Sequence, residues 1–209
     1  MLDVSWLLFI AASLVIIATP GQDMILVLSR SITQGVSAGL ATAAGVSVGL
    51  LGHTMLATLG LGAILRTSEW LFVVLKLVGA AYLIYVGIGL LRTKNAALNV
   101  QAAPRRSLSK LFSDGALSNV ANPKIAVFYF AFLPQFVQPG AQSPALSIFV
   151  LGVVFATLTF VVKGPVGYFG GLLSSWFQSR PSVLSWLYRS SGAILVGLGI
   201  RLAFERRPV

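Results

Sequence analysis

The chain contains no cysteine, a single histidine and only five acidic residues among 209. Without cysteine it can form no disulfide, thiolate metal site or thiol nucleophile. One histidine cannot build a His/Cys metal cluster. Of the acids, Asp3 and Glu205 lie near the termini, and Glu69 and Asp114 lie at the ends of apolar segments. That leaves no evident buried carboxylate pair for acid–base chemistry. No Gly-x-Ser-x-Gly motif and no phosphate-binding loop appears. The composition therefore points away from an enzyme, and no cofactor or bound metal is expected. Nor is there a nucleotide-binding segment, so uphill work must draw on an ion or substrate gradient.

Charge is scarce: 10% of the residues are charged and 56% hydrophobic. A soluble domain carries about 25% charged residues, so long apolar runs with so little charge read as a polytopic membrane protein. The net charge of +10 does not imply nucleic acid, because no basic face interleaved with aromatics exists. The basic residues fall mostly between apolar segments, where they orient the chain and meet anionic lipid headgroups. No Lys or Arg precedes the first apolar run, so that run is expected to remain as a span and not to be removed as a signal peptide.

A crossing helix needs about 20 mainly apolar residues. Six segments fit: Val4–Leu28, Val36–Leu65, Trp70–Leu91, Gly115–Val137, Ala145–Leu173 and Leu184–Phe204. The polar interval 93–110, flanked by Arg92 and containing Lys94, Arg105, Arg106 and Lys110, reads as a cytoplasmic linker. With six spans both termini then lie outside; five spans with the N-terminus inside is the alternative. The linker divides one transmembrane domain, 1–209, into halves of approximately 1–92 and 111–205. Each half opens with a span broken at proline, Pro20 and Pro123, and closes on a Gly-Ala pattern, Gly79-Ala80 and Gly192-Ala193. Three spans per half would place the halves in opposite orientations, the inverted-repeat design of many secondary transporters. The expected fold is thus an all-α integral membrane protein of six transmembrane helices, in two inverted three-helix repeats with broken first helices. Gly35, Gly39, Gly45, Gly49 and Gly52 are expected to let the second span pack closely on its neighbours.

Ionisable groups inside hydrocarbon are costly and mark polar pathways. Asp23 follows Pro20-Gly21 and falls in the first turn of a half-helix, where the dipole favours a carboxylate. It is a candidate for a substrate ammonium or a proton. Lys124 follows Pro123 directly and is a candidate for a carboxylate ligand, or for pairing with Asp23. Both prolines fall roughly 15 Å from the cytoplasmic edge at 1.5 Å per residue, near the bilayer midplane. Asn122 and Asn119 offer amides beside the second break. His53 is either a proton shuttle or a satisfied packing residue. Lys163-Gly164-Pro165 is expected to break the fifth span and to line the same cavity, or to form a gate.

At these residues the chain resembles the family of lysine, threonine and homoserine efflux proteins (LysE/RhtB type). The resemblance runs over nearly the whole length. Its most specific part is Leu117-Ser-Asn119-Val-Ala-Asn122-Pro123-Lys124, continuing through Phe128 to Leu133-Pro134-Gln135-Phe136. Thr19-Pro20-Gly21-Gln22-Asp23 matches a second motif, with one departure: the family usually has Pro-Gly-Pro where this chain has Pro20-Gly21-Gln22. The resemblance implies a bacterial inner-membrane exporter of amino acids or their derivatives, driven by the proton gradient. It implies an amino-acid substrate, protons and membrane lipids as partners, and is compatible with a homo-oligomer. A cation exporter and a non-transporting membrane scaffold are the rival classes. Two lysines inside the membrane would repel a cation, and a scaffold would need neither broken helix.

Overall fold

The computed structural model describes residues 4–67, 69–93, 105–138 and 141–204. The described residues are helical throughout apart from connections and one isolated bridge, Val4 to Val137. In chain order the helices are α1 (Trp6–Ala18), α2 (Gln22–Gln34), α3 (Val36–Thr67), α4 (Glu69–Leu91), α5 (Leu108–Val120), α6 (Pro123–Phe132), α7 (Pro144–Tyr168), α8 (Gly170–Ser179) and α9 (Pro181–Phe204). A single 3₁₀ turn, Leu133–Phe136, follows α6. Among the described residues, three stretches are long and apolar enough to cross a membrane: Val36–Gly60, Pro144–Tyr168 and Ser182–Phe204. α1 and α2 pass the same test together, as one span bent by 54°. The linker positions 94–104 and the terminal charges Asp3, Glu205, Arg206 and Arg207 lie outside the described residues.

Proline explains both broken segments. Pro20 has no N–H and disfavours a helical residue before it. Thr19 is accordingly extended, with ψ 124°, and α2 restarts behind Gly21. In the second break Asn122 is extended ahead of Pro123, which occupies the first turn of α6. Proline suits that position because its missing N–H would have had no helical partner there. Asn122 caps α6, its Oδ1 accepting the Lys124 N–H at 3.0 Å.

The fifth expected span behaves differently. Gly164 and Pro165 do not break it: α7 continues through them to Tyr168. Pro165 removes one helical donor, but its own carbonyl accepts the Phe169 N–H at 2.8 Å and the helix carries on past it. The interruption falls later, and the apolar stretch to Leu173 is divided between α7 and α8.

Glycine sets how near the helices approach. α3 packs against α5 on one side and α7 on the other, and α4 packs against α9. Along the α3–α5 seam, a Cβ on Gly49 would lie 2.7 Å from the Ala116 carbonyl oxygen. Across the α4–α9 seam, a Cβ on Gly192 would meet the Gly87 oxygen at 2.6 Å. Gly39, Gly45 and Gly52 also meet neighbours, as the sequence suggests. Gly35 does not: it has open space but φ of +93°, and forms the turn from α2 to α3.

Two hydrophobic clusters lie on either side of the first break. One gathers Phe9 and Ile17 of α1, Tyr129 and Phe132 of α6, Phe136, and Phe155 of α7. The other gathers Met24, Val27 and Leu28 of α2 with Ala43, Val166 and Leu184. The outer ends of the two broken segments are tied together, the Ser5 N–H donating to the Phe136 oxygen at 2.9 Å.

The α4–α9 seam yields a prediction. Gly192→Val should overpack it, costing about 1–3 kcal/mol. The apparent melting temperature in detergent should fall by several degrees. Gly197→Ala, where an added Cβ meets nothing within 4 Å, should leave it unchanged or raise it.

Candidate functional site

The first break places a carboxylate in the interior. Asp23 stands in the first turn of α2, where the N-terminal dipole stabilises negative charge. Its Oδ2 accepts two charged or polar donors: Lys163 Nζ at 3.2 Å and Asn119 Nδ2 at 3.1 Å. The Lys163 and Asp23 side chains are only 10% and 15% exposed. At such low exposure an ion pair needs good geometry and further hydrogen bonds to offset desolvation, and Asn119 supplies one. Three elements converge here: α2 brings Asp23, α5 brings Asn119 and α7 brings Lys163.

The cation on Asp23 is therefore Lys163 and not Lys124. Lys124 is exposed at the start of α6, and among the described residues no carboxylate pairs with it. The physical reason is direction. The Lys124 backbone is held by the Asn122 cap and by Tyr82, whose hydroxyl donates to the Lys124 carbonyl at 2.9 Å. Its side chain faces a different space, lined in part by Tyr82, Tyr85 and Arg92.

His53 takes up a role the sequence leaves open. Pro123 cannot donate to the Asn119 carbonyl, four residues back. That oxygen instead receives the Asn122 N–H at 3.0 Å and His53 Nε2 at 2.9 Å. Because the acceptor is a carbonyl, Nε2 must carry the proton. Gly49 lies one turn before His53 on α3, and a Cβ there would strike the Asn119 Cβ at 2.8 Å. α3 thus makes room for Asn119 with one residue and clamps its carbonyl with another. His53 and Asn119 are both buried, 1% and 0% exposed.

The carbonyls at the first break are held by the last helix. Tyr188 donates its hydroxyl to the Pro20 oxygen at 2.6 Å, and Ser191 donates to the Val15 oxygen at 3.0 Å. Thr19 also hydrogen-bonds Ser191. Tyr82 on α4 serves the second break in the same way. Each break is therefore pinned by a tyrosine from the other half of the chain. Neither tyrosine is evident from motif spacing; the one available signal is a hydroxyl within the closing apolar segment of each half.

A cavity of about 230 Å³ opens at the pair. Its wall includes Asp23, Lys163, Thr159, Gln22, Asn122 and Tyr129. Both α2 and α6 begin at this wall, so two helix N-termini face it. Gln22 does not abolish the break where the family usually carries a second proline. It opens α2, and its Oε1 accepts from Asn122 Nδ2 at 3.5 Å, a marginal contact across the two breaks.

A charged pair at a broken span is a recurrent arrangement in secondary transporters, and the sequence comparisons point the same way. The LysE type translocator family matches residues 14–206, and the chain belongs to that family. An uncharacterised membrane protein of Pseudomonas aeruginosa is 33% identical over 193 residues, covering 90% of this chain and 89% of its own. The homoserine/homoserine lactone efflux protein of Salmonella typhimurium is 31% identical over 96% of this chain and 97% of its own. The leucine efflux protein of Klebsiella pneumoniae is 26% identical, over 95% and 94%. No solved structure matches significantly. The chain is a multi-pass bacterial membrane protein.

The pair makes the site's stability testable. Lys163→Met would leave Asp23 without its cation, a loss on the order of 3 kcal/mol. That corresponds to about 6–12 °C in apparent melting temperature for a chain of this size. Adding Asp23→Asn to Lys163→Met should recover much of the loss, as thermal unfolding in detergent will show.

Proposed function

We propose that this protein is a secondary exporter of amino acids or close derivatives across the bacterial cytoplasmic membrane. The observation that carries the reading is the Asp23–Lys163 pair in the wall of a cavity at a broken helix. An amino acid crosses as a zwitterion. Each of its charges would cost several kcal/mol to desolvate without a partner. Asp23 can take the ammonium. Lys163 can take the carboxylate, helped by the N-termini of α2 and α6. Without substrate the two residues hold each other. The efflux activities named for the Salmonella and Klebsiella relatives point to the same substrate class.

In this reading the segments form six spans: α1 with α2, α3, α4, α5 with α6, α7, and α9. The halves 1–92 and 111–205 are inverted repeats, and the linker face, with Arg30 and Arg180, is cytoplasmic. The reciprocal pinning of the breaks by Tyr82 and Tyr188 supports that symmetry. The Met24, Val27 and Leu28 cluster would close the cytoplasmic side, and the Phe9, Phe132 and Phe136 cluster the outer side. Rocking of the halves would open them in turn. Proton uptake at Asp23 would release the ammonium and couple export to the proton gradient. His53 and Asn119 would hold the second break in shape, with Asn122 capping α6 beside the cavity.

The test is efflux of labelled homoserine and leucine from proteoliposomes. Asp23→Asn and Lys163→Gln should each slow export at least tenfold, and Asp23→Asn should remove its response to an imposed pH gradient. Wild-type rates in both variants, with normal insertion, would overturn the reading.

A further inference from the structure

Beside the site cavity lies a larger one, of about 750 Å³. α4 contributes Tyr82 and Tyr85 to its wall, Arg92 lies just beyond the end of α4, and α6 contributes Lys124. Four residues, Ile16, Gly21, Ile125 and Phe128, line both cavities. A single layer of side chains therefore divides them, and Gly21, which has none, belongs to that layer.

The wall of the larger cavity carries two cations and no acid. Among the described residues neither Lys124 nor Arg92 meets a carboxylate. Yet the Lys124 backbone is fixed at both its polar atoms, by the Asn122 side chain at 3.0 Å and the Tyr82 hydroxyl at 2.9 Å. These bonds fix where the side chain starts, and an ammonium tethered beside apolar walls with no carboxylate partner favours an anionic ligand. The common wall identifies which one. Arg92 stands at the end of α4 next to the basic linker. A molecule in the larger cavity would meet the cations Arg92 and Lys124 there, and would reach Asp23 and Lys163 only beyond the shared wall. That order suits a solute whose carboxylate is engaged before its ammonium.

We propose that the larger cavity is an access vestibule. In it Lys124 holds the carboxylate of the amino acid before the molecule passes Ile16, Gly21, Ile125 and Phe128 to reach the Asp23–Lys163 pair. This inference rests on the exporter reading and adds a second binding site to it. It separates two jobs: Lys124 reads the carboxylate at arrival, and Asp23 reads the ammonium in the site.

The experiment compares substrates with and without a carboxylate. Protein-dependent efflux of homoserine, homoserine lactone, leucine and leucine methyl ester is measured in proteoliposomes against concentration, with protein-free vesicles subtracted. Lys124→Gln should raise the half-saturating concentration of homoserine and leucine about tenfold, and leave the lactone and ester within twofold. Lys124→Arg should restore the acids. Equal defects for acids and esters would reveal a structural role and overturn the proposal, as would no defect at all. A defect that follows the anionic lipid content of the vesicles, and not the substrate carboxylate, would assign the cavity to a lipid headgroup and overturn it too. If Asp23→Asn abolishes export while Lys124→Gln is normal, the vestibule fails and the exporter stands. If the wild-type protein exports none of the four, both fail.

Discussion

The Asp23–Lys163 ion pair organises this molecule. A carboxylate and an ammonium 3.2 Å apart and mostly buried meet in a cavity wall between helices that must break to bring them together. Pro20 opens the first break and presents Asp23 on a helix N-terminus. Pro123 opens the second and leaves the Asn119 carbonyl short of a donor, so that His53 and Asn119 become one assembly. The Asn119 amide then donates to Asp23. A defect in either break reaches the pair through hydrogen bonds, without any change in the charged residues themselves.

Glycine makes this geometry available. At Gly49 a side chain would displace Asn119, and across Gly87 and Gly192 it would separate the helix that pins the second break from the helix that pins the first. Lipid provides no hydrophobic drive between helices, so close packing and hydrogen bonding must do the work. The reciprocal tyrosines, Tyr82 to Lys124 and Tyr188 to Pro20, use the α4–α9 contact to hold both breaks from the opposite half of the chain. In the proposed rocking of the halves, such cross-pinning would couple a movement of one half to the broken helix of the other.

The helical class, the broken span at Pro20 and the place of Asp23 at a helix start were legible because each follows from local chemistry; the capping role of Asn122 was not read from the sequence. Proline removes a donor, and a carboxylate at a helix start finds free N–H groups. The partner of Asp23 was not legible. Lys124 and Lys163 both lie beside prolines in apolar runs, and only the packing of α7 against α2 decides between them. Pro165 misled for a related reason. A proline removes one donor and can kink a helix without ending it, and α7 runs three residues beyond Pro165. The sequence also left His53 between a proton shuttle and a packing residue. Its bond to the carbonyl opposite Pro123 became visible only once α3 and α5 were set side by side.

In the proposed reading the site residues satisfy each other, and substrate would replace the internal pair. Gln22 lines the cavity and is exposed, and the chain has no native cysteine, so Gln22→Cys would be a lone reporter. The most direct measurement is its rate of labelling by a polar thiol reagent in membranes, with and without homoserine or leucine. The account predicts that the transported amino acid slows labelling several-fold and that its N-acetyl derivative, which lacks the ammonium, does not. Labelling indifferent to the amino acid, in protein that exports it, would contradict the placement of the substrate at Asp23 and Lys163.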